Sequence, residues 1–326
     1  MLGVIFRCDA GNVKRIGTGH LYRSITIANL LIKKFNIKKK QIVFITKISN
    51  KFSLAKKILK QNNFKNIPIK ENANNYDEYS VLKKLSSKLL IIDKYKTKNT
   101  KYLNKIKCNF KKIILLDAIK YEHKDVLYIN SLIHNVDSKI KKVGYEYLIC
   151  PSLLTKKKSI IRKKLINIFL FFGGFDNKNI TNKILNYFIY HENNYSLYVH
   201  ESFKNKHPYK KKIKYFNNKN IFNFLSSSDL AITSGGLIMF DVINIQKPLI
   251  AIPQYLHQKK NIKKLNNKNC LIDLKLNKNL YKNLSKYLSS MNNFNERIKM
   301  IKNQSKILYG NETPKAIQLI YDEYKK

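Results

Sequence analysis

A histidine behind a glycine pair is the first residue of this sequence whose type and position suit catalysis. The segment Gly17-Thr18-Gly19-His20 follows a short apolar run, Val4 to Phe6, and precedes apolar residues at helical spacing. We therefore expect His20 in the first turn of a helix, just beyond the carboxyl end of a buried strand, where open α/β sheets bind ligands. A histidine in that place is suited to proton transfer, and the glycines let the backbone approach a ligand closely.

Three polar residues are expected to share this site with His20. Arg7 and Asp9 follow the first strand, and Arg23 lies one helical turn beyond His20. We expect Asp9 to act with His20 as the second catalytic residue by orienting the imidazole, as carboxylate–histidine pairs do. The alternative is that Arg7 and Asp9 form only a salt bridge within the loop.

Short apolar runs alternate with lysine-rich helical segments along the chain, which predicts an α/β fold with parallel sheets and helical crossovers. The N-terminal half carries predicted strands at 41–46, 89–93 and 113–117. The last two end in Asp93 and Asp117. Aspartates at strand ends either serve a site or cap the following helix.

A break in this alternation predicts two domains. The segment Gly144 to Thr155 contains a glycine and a proline and lacks helical periodicity, so it predicts a linker. We predict an N-terminal Rossmann-like domain over 1–150, with the catalytic loop, and a C-terminal Rossmann-like domain over 151–326. Two such domains facing a cleft would form a natural site for a sugar nucleotide. The tail from 280 to 324 is predicted to be helical.

Two glycine pairs in the C-terminal half follow apolar strands. Gly173-Gly174 precedes a helix that Asp176 can cap, and its backbone N–H groups suit a phosphate; the alternative is a tight turn. Gly235-Gly236 follows the predicted strand 229–233 and precedes a helix that contains Asp241. That carboxylate can accept hydrogen bonds from a ribose diol, or it is a solvated helix residue. Neither pair completes a P-loop or a dinucleotide fingerprint.

The composition bounds the classes of partner and compartment. A net charge of +44 points either to a polyanion partner or to compositional drift toward lysine, asparagine, isoleucine and tyrosine. We favour drift because the lysines are spread along the chain; no specific nucleic acid is expected, and peripheral contact with an anionic membrane stays open. The four cysteines form no CxxC pair and the histidines lack metal-ligand spacing. Without a signal peptide or a membrane-spanning run, we expect a cytoplasmic protein.

Several motifs together resemble one family. FRCD and IGTGHLYRSITIA, within 6–28, resemble the N-terminal signature of the UDP-sugar hydrolases of pseudaminic acid synthesis and their spore-coat polysaccharide relatives. The resemblance continues in IIDKY (91–95), GYEYLICPSLL (144–154) and FFGGFDNKNIT (171–181). The stretch 234–262, from SGGLIMFD to LHQKKNI, is similar to the nucleotide-binding pattern of the wider glycosyltransferase-B superfamily.

The resemblance implies a glycosyltransferase-B fold and an enzyme that needs neither metal nor cofactor. Its implied reaction is water attack at the anomeric carbon of a UDP-2,4-diacetamido-2,4,6-trideoxyhexose, with release of UDP, in nonulosonic acid and surface polysaccharide biosynthesis. His20 is implied as the catalytic base or acid. The motifs and the resemblance together predict these substrate-binding residues: Arg7, Gly19, Arg23, Tyr95, Gly173, Gly174, Gly235, Gly236, Asp241, Gln258 and Asn261.

Three departures from the family pattern leave a transferase open. Asp241 stands where the family has a glutamate, the arginine expected near 152–154 is absent, and the loop between Asp9 and Ile16 is longer and more basic. The alternative function is therefore a glycosyltransferase that acts on a surface glycan or a lipid-linked acceptor. The intact polar set around His20 argues against a third alternative, a polyanion-binding protein without catalysis.

Overall fold

A computed structural model describes ten segments of the chain, and every structural statement refers to them. These segments are 2–11, 17–71, 75–94, 100–131, 136–155, 159–174, 176–191, 194–203, 212–308 and 314–326. They contain two compact units, the first formed by Met1–Leu154 with Glu312–Lys326 and the second by Thr155–Asn311.

Seven short segments of the first unit form one parallel sheet. Its strands are β1 (Leu2–Cys8), β2 (Ile42–Ile48), β3 (Lys65–Lys70), β4 (Ser87–Asp93), β5 (Phe110–Leu116), β6 (Val126–Asn130) and β7 (Lys142–Val143). Their order across the sheet is β3-β2-β1-β4-β5-β6-β7, and all pairings are parallel. The central strands are apolar along their length because helices cover both faces of a parallel sheet.

Helices follow four of these strands. They are α1 (Gly19–Phe35), α2 (Ser53–Gln61), α3 (Asn75–Lys83) and α4 (Thr100–Ile106). Alternate residues of β1 enter different cores: Val4 and Phe6 pack with α1 and α2, whereas Ile5 packs with α4 on the other face. Asn36 caps the carboxyl end of α1, and its left-handed backbone (φ 56°) lets its N–H bond back to the last turn.

The second unit repeats this architecture with six strands. They are β8 (Asn167–Phe171), β9 (Ser196–His200), β10 (Ile213–Phe216), β11 (Leu230–Ser234), β12 (Leu249–Ile252) and β13 (Ile272–Asp273). Their order is β10-β9-β8-β11-β12-β13, again parallel throughout. The helices after the strands are α5 (Ile180–His191), α6 (Ile221–Ser227), α7 (Leu237–Asn244), α8 (Leu256–Asn266), α9 (Leu280–Asn292) and α10 (Phe294–Ser305).

In both sheets the order of the strands reverses beside the first strand of the unit. Strand β1 lies between β2 and β4, and β8 lies between β9 and β11, so the order reverses at these two positions. In open parallel sheets the carboxyl ends of the strands beside such a reversal leave a crevice for ligands. His20 and the two predicted glycine pairs follow β1, β8 and β11, which are strands at these reversals.

The structure corrects the predicted domain boundaries at both ends of the second domain. The segment predicted as a linker belongs to the first unit up to Leu154, because Leu148, Ile149 and Cys150 are buried. The last helix, α11 (Lys315–Lys325), also returns to the first unit. Its apolar face joins the core under α1, and the rings of Phe35 and Tyr321 stack with centroids 3.7 Å apart. The sequence of α11 shows one apolar stripe on an otherwise charged helix. This pattern predicts that the stripe is buried, but it does not indicate against which unit.

Two further differences concern short elements and the membrane. The sequence does not predict β7 and β13, because two-residue edge strands carry no periodicity. Across the described segments, no helix is long and apolar enough to cross a membrane.

Candidate functional site

The carboxyl edge of the first sheet carries three aspartates. Asp9 follows β1, Asp93 ends β4 and Asp117 follows β5. Cys8 and Asp93 are partners in the register of β1 and β4, so the ends of these two strands lie side by side. Helix α1 starts at Gly19 and brings His20 to the same edge, as the sequence predicts.

His20 pairs with Asp93. The Nδ1 atom of His20 lies 2.7 Å from Oδ1 of Asp93, whose side chain is fully buried. Burial alone would raise the pKa of Asp93, but the charges of Arg23 and His20 outweigh it and lower that pKa to about 2. An ionised carboxylate only accepts hydrogen bonds, so Nδ1 of His20 carries a proton, and in the neutral ring the lone pair then belongs to Nε2. The side chain of His20 is 23% exposed, so the ring remains accessible.

Arg23 bridges Asp93 to Asp117. Its Nε and Nη2 atoms donate to the two oxygens of Asp93 at 2.7 and 2.5 Å, and its Nη1 atom donates to Asp117. Asp117 in turn accepts two hydrogen bonds from Ser131, one from the backbone N–H and one from the hydroxyl, both at 2.8 Å. Since its guanidinium is engaged with two carboxylates, Arg23 orients Asp93, and the predicted contact with substrate has no support in this geometry.

The predicted role of Asp9 is wrong. Asp9 accepts from Nη1 of Arg7 at 2.6 Å and from the backbone N–H of Lys47 at 2.9 Å, whereas His20 is oriented by Asp93. Desolvation opposes ionisation of Asp9, yet the charge of Arg7 lowers the pKa of Asp9 below its ordinary range. The reason is topological: β4 lies beside β1, so its last residue reaches α1.

The side chain of Arg7 is fully buried, so the predicted contact with substrate has no support in this geometry either. It donates to Asp9 and, at 3.0 Å, to Glu78 of α3, which also accepts from Lys94 and Tyr102. The Arg7–Asp9 salt bridge proposed as the alternative is therefore present, and it belongs to a buried network beside the His20 site. Glu78 carries no sequence signal for this role, because it lies mid-helix, 71 residues from Arg7.

Cys8 lies between the two networks and is fully buried. Burial raises the pKa of its thiol well above the ordinary range, and the negative charge of Asp93 acts in the same direction. Within the segments that the structure describes, no three His, Cys, Asp or Glu side chains lie together as a metal site. Tyr95, another predicted site residue, lies outside the described residues.

The first glycine loop of the second unit follows β8. Gly173 adopts a left-handed backbone (φ 90°) that favours glycine. Asp176 caps α5 as predicted: its carboxylate accepts from the backbone N–H groups of Ile180 and Thr181 at 2.9 and 2.7 Å. Gln254 ties this loop to the end of β12, since its side chain donates to the carbonyl of Phe172 and accepts from the N–H of Asn177.

The second glycine loop packs against α8. A Cβ atom at Gly235 would lie 2.7 Å from Cδ1 of Ile262 and 3.0 Å from Cβ of Gln258, so a larger residue would force these side chains to shift. Gly236 is the N-cap of α7, and no side chain caps this end of the helix. Asn261, one turn beyond Gln258, is buried with it.

Asp241 is only 3% exposed in α7, so the alternative of a solvated helix residue is wrong. Its contact with a ribose stays a prediction, as do ligand contacts by Gly19, Gly173, Gly174, Gly235, Gly236, Gln258 and Asn261.

A family model and a curated relative match parts of this chain. Residues 170–320 match the model of the glycosyltransferase family 28 C-terminal domain. The "Uncharacterized protein MJ1062" of Methanocaldococcus jannaschii is 27% identical over 269 residues, which are 73% of this chain and 53% of that protein. The chain therefore spans about half the length of the curated relative that it matches.

Solved structures match the chain over nearly its whole length. MurG of Acinetobacter baumannii has a TM-score of 0.67 at 11% identity, covering 100% of this chain and 99% of that one. The calicheamicin glycosyltransferase CalG4 gives 0.64 at 10% identity with the same coverage. The chain has the glycosyltransferase-B fold. The UDP-GlcNAc 2-epimerase of Neisseria meningitidis shares it, with a TM-score of 0.58, 11% identity and 98% coverage of each chain.

The solved structures confirm the predicted glycosyltransferase-B fold, and the family model over 170–320 supports the superfamily. The narrower resemblance, to the UDP-sugar hydrolases of pseudaminic acid synthesis, stays a prediction, as does the cleft between the two domains. The histidine–aspartate pair therefore lies on a glycosyltransferase-B fold, in the N-terminal of its two α/β units.

Proposed function

We propose that this chain transfers a sugar from a nucleotide-sugar donor to a hydroxyl group, with His20 as the general base. The pair of His20 and Asp93 carries the proposal. Its carboxylate fixes the proton on Nδ1, leaves Nε2 basic and sits where it stabilises the imidazolium that forms during proton transfer.

A UDP-sugar is the donor class that we propose. Solved proteins with this fold include the Neisseria epimerase, bound to UDP-GlcNAc, and a plant protein, UGT89C1 of Arabidopsis thaliana, complexed with UDP-L-rhamnose. In the second unit, the loop at Gly235-Gly236 and the start of α7 offer backbone N–H groups suited to a diphosphate.

The proposed step conserves atoms and charge. The acceptor hydroxyl gives its proton to Nε2 of His20 while its oxygen forms a bond with the anomeric carbon. The bond from that carbon to the diphosphate oxygen breaks, and UDP leaves with the electron pair. Backbone N–H groups stabilise the charge that develops on the diphosphate, and Asp93 stabilises the charge on the imidazole.

A second candidate is the hydrolase, in which water takes the place of the acceptor hydroxyl. It is favoured by one observation, the resemblance of the segment around His20 to the UDP-sugar hydrolases of pseudaminic acid synthesis. The substrate would then be a UDP-2,4-diacetamido-2,4,6-trideoxyhexose, in nonulosonic acid and surface polysaccharide biosynthesis.

The test is UDP release by the purified chain from UDP-GlcNAc and from the diacetamido sugar, with and without acceptor glycans. A transferase releases UDP rapidly only when an acceptor is present, whereas a hydrolase releases UDP without one. In both cases His20→Asn lowers release by about 10² to 10⁴-fold, the usual contribution of a general base. His123→Asn is the matched control, since this histidine of the first unit pairs with Asn104 and Asp125 instead. Full activity in His20→Asn would refute both candidates.

A further inference from the structure

A second carboxylate stands behind the pair of His20 and Asp93. Asp117 accepts from Nη1 of Arg23 through Oδ2, while its Oδ1 accepts both hydrogen bonds of Ser131. The same guanidinium holds Asp93 by two parallel bonds. Arg23 is thus held by two carboxylates, bidentately by Asp93 and through its remaining Nη1 group by Asp117.

The backbone of Asp117 is fixed as firmly as its side chain. Its φ of 53° is left-handed, a conformation that aspartate and asparagine tolerate better than other non-glycine residues. Its N–H donates to the carbonyl of Ile129 at 2.9 Å, which ties the end of β5 to β6. The side chain is only 14% exposed. Asp117 therefore forms a rigid support for Arg23 from the neighbouring strands.

Asp117 also changes the net charge of the cluster that it forms with Arg23 and Asp93. If Arg23 met Asp93 alone, the guanidinium would neutralise the carboxylate on which the imidazole depends. With Asp117 present, two negative charges face one positive charge, and the buried cluster keeps one net negative charge beside His20. That charge lies beside the ring, where it stabilises the imidazolium that forms during the proposed proton transfer.

We infer that Asp117 is a positioning residue of the His20 base: it holds Arg23, keeps Asp93 aligned and leaves its negative charge to the imidazole. The inference rests on the proposed function, because it assigns Asp117 to the same proton transfer. Asp117 itself touches no reacting atom in this scheme, so its whole effect passes through His20.

The experiment compares Asp117→Asn with Ser131→Ala, in the wild type and in a His20→Asn background. Asparagine keeps the shape and the backbone conformation but removes the charge, so kcat for UDP release should fall between about tenfold and about a hundredfold, as for other orienting partners behind reactive groups. The KM for the donor should not change. Ser131→Ala, which removes one hydrogen bond and keeps the charge, should give a smaller loss in the same direction, and it tests the inference if Asp117→Asn fails to fold.

Two results separate positioning from a merely structural role. In the His20→Asn background, Asp117→Asn should cause no further loss of kcat, because residues that act as a unit are not additive. In ¹⁵N NMR spectra the His20 proton should reside on Nδ1 in the wild type and distribute over both nitrogens in Asp117→Asn. Asp125→Asn is the control, since its carboxylate is 55% exposed and faces Lys107.

An unchanged kcat in Asp117→Asn, or an equal loss with and without His20, would overturn the inference. The NMR measurement needs no substrate. If the wild type released UDP from no donor, the proposed function would fail, while the ring proton would still report whether Asp117 orients the pair.

Discussion

The Nδ1 atom of His20 lies 2.7 Å from Oδ1 of Asp93, although 73 positions separate the two residues in the chain. They meet because β1 and β4 are neighbours and α1 starts directly above their carboxyl ends. The carboxylate is fully buried and accepts two hydrogen bonds from Arg23, so the imidazole is the more accessible member of the pair. The first prediction follows from this arrangement.

Replacing Asp93 by asparagine should lower kcat for UDP release by about 10² to 10⁴-fold, the range for loss of the base and of its orienting carboxylate. The amide neither stabilises an imidazolium nor neutralises Arg23. Steady-state kinetics measures kcat, and calorimetry measures UDP affinity, which should not change if the second unit holds the nucleotide. Asp125→Asn serves again as the control. A kcat within twofold of wild type, roughly the precision of such kinetics, would contradict the assignment of Asp93.

Asp93 should also make the first unit sensitive to acid. Its pKa falls from an ordinary 3.8 to about 2 in the fold, because the charges of Arg23 and His20 outweigh burial. A carboxyl whose folded pKa is the lower one stabilises the fold above its unfolded pKa and loses that contribution as pH falls from about 4 to about 2. The contribution at neutral pH is on the order of 2 kcal/mol, since one pKa unit corresponds to about 1.4 kcal/mol.

Hydrogen exchange of the β1 and β4 amides measures this local stability. The free energy of opening at these amides should be higher in the wild type than in Asp93→Asn. This difference should shrink between about pH 4 and about pH 2, the window set by the two pKa values. A constant difference across that window would show that Asp93 is not the group responsible.

The adjacent glycines of the second unit offer a matched pair of substitutions. Gly235→Ala should destabilise the chain by about 1 to 3 kcal/mol, because its methyl group would overlap Ile262 and Gln258. Gly236→Ala should be tolerated, since its Cβ would lie 3.5 Å from Nε2 of Gln258, an ordinary contact. Thermal unfolding measures the difference in stability between the two variants. Equal effects in both variants would refute the steric argument.

Lys247 is a buried cation that connects the first residues of the second unit to the segment before β11. Its Nζ atom donates to the carbonyls of Ile160 and Ser228, both at 2.6 Å, and burial lowers the pKa of this amine from 10.5 to about 8. Lys247→Met should therefore cost about 1 to 3 kcal/mol at neutral pH, because two buried carbonyls lose their donor.

The pH dependence of this variant has a definite sign. Between the folded pKa of about 8 and the unfolded value of 10.5, the unfolded chain binds more protons at Lys247, so the free energy of unfolding rises with pH. In urea unfolding, the difference in the free energy of unfolding between the wild type and Lys247→Met should widen over this range. Lys259 is exposed, so Lys259→Met should follow the wild type. A gap that narrows would contradict burial of the charged amine.

Most of the fold was accessible from local patterns in the sequence. Apolar runs such as 89–93 predict buried strands because parallel strands are covered on both faces. The glycine pair before His20 predicts the start of α1, and Asp176 predicts a helix cap, because both depend on residues within one or two turns. The sequence also placed Asp93 and Asp117 at strand ends.

The partner of His20 was decided only by the tertiary structure. Asp9 is eleven positions away and Asp93 is far along the chain, yet strand order gives the imidazole to Asp93 and turns Asp9 toward Arg7. In the same way, α11 joins the core of the first unit although it follows the second in sequence. Periodicity reports which face of an element is buried, whereas the neighbour that buries it depends on long-range pairing, which no local pattern encodes.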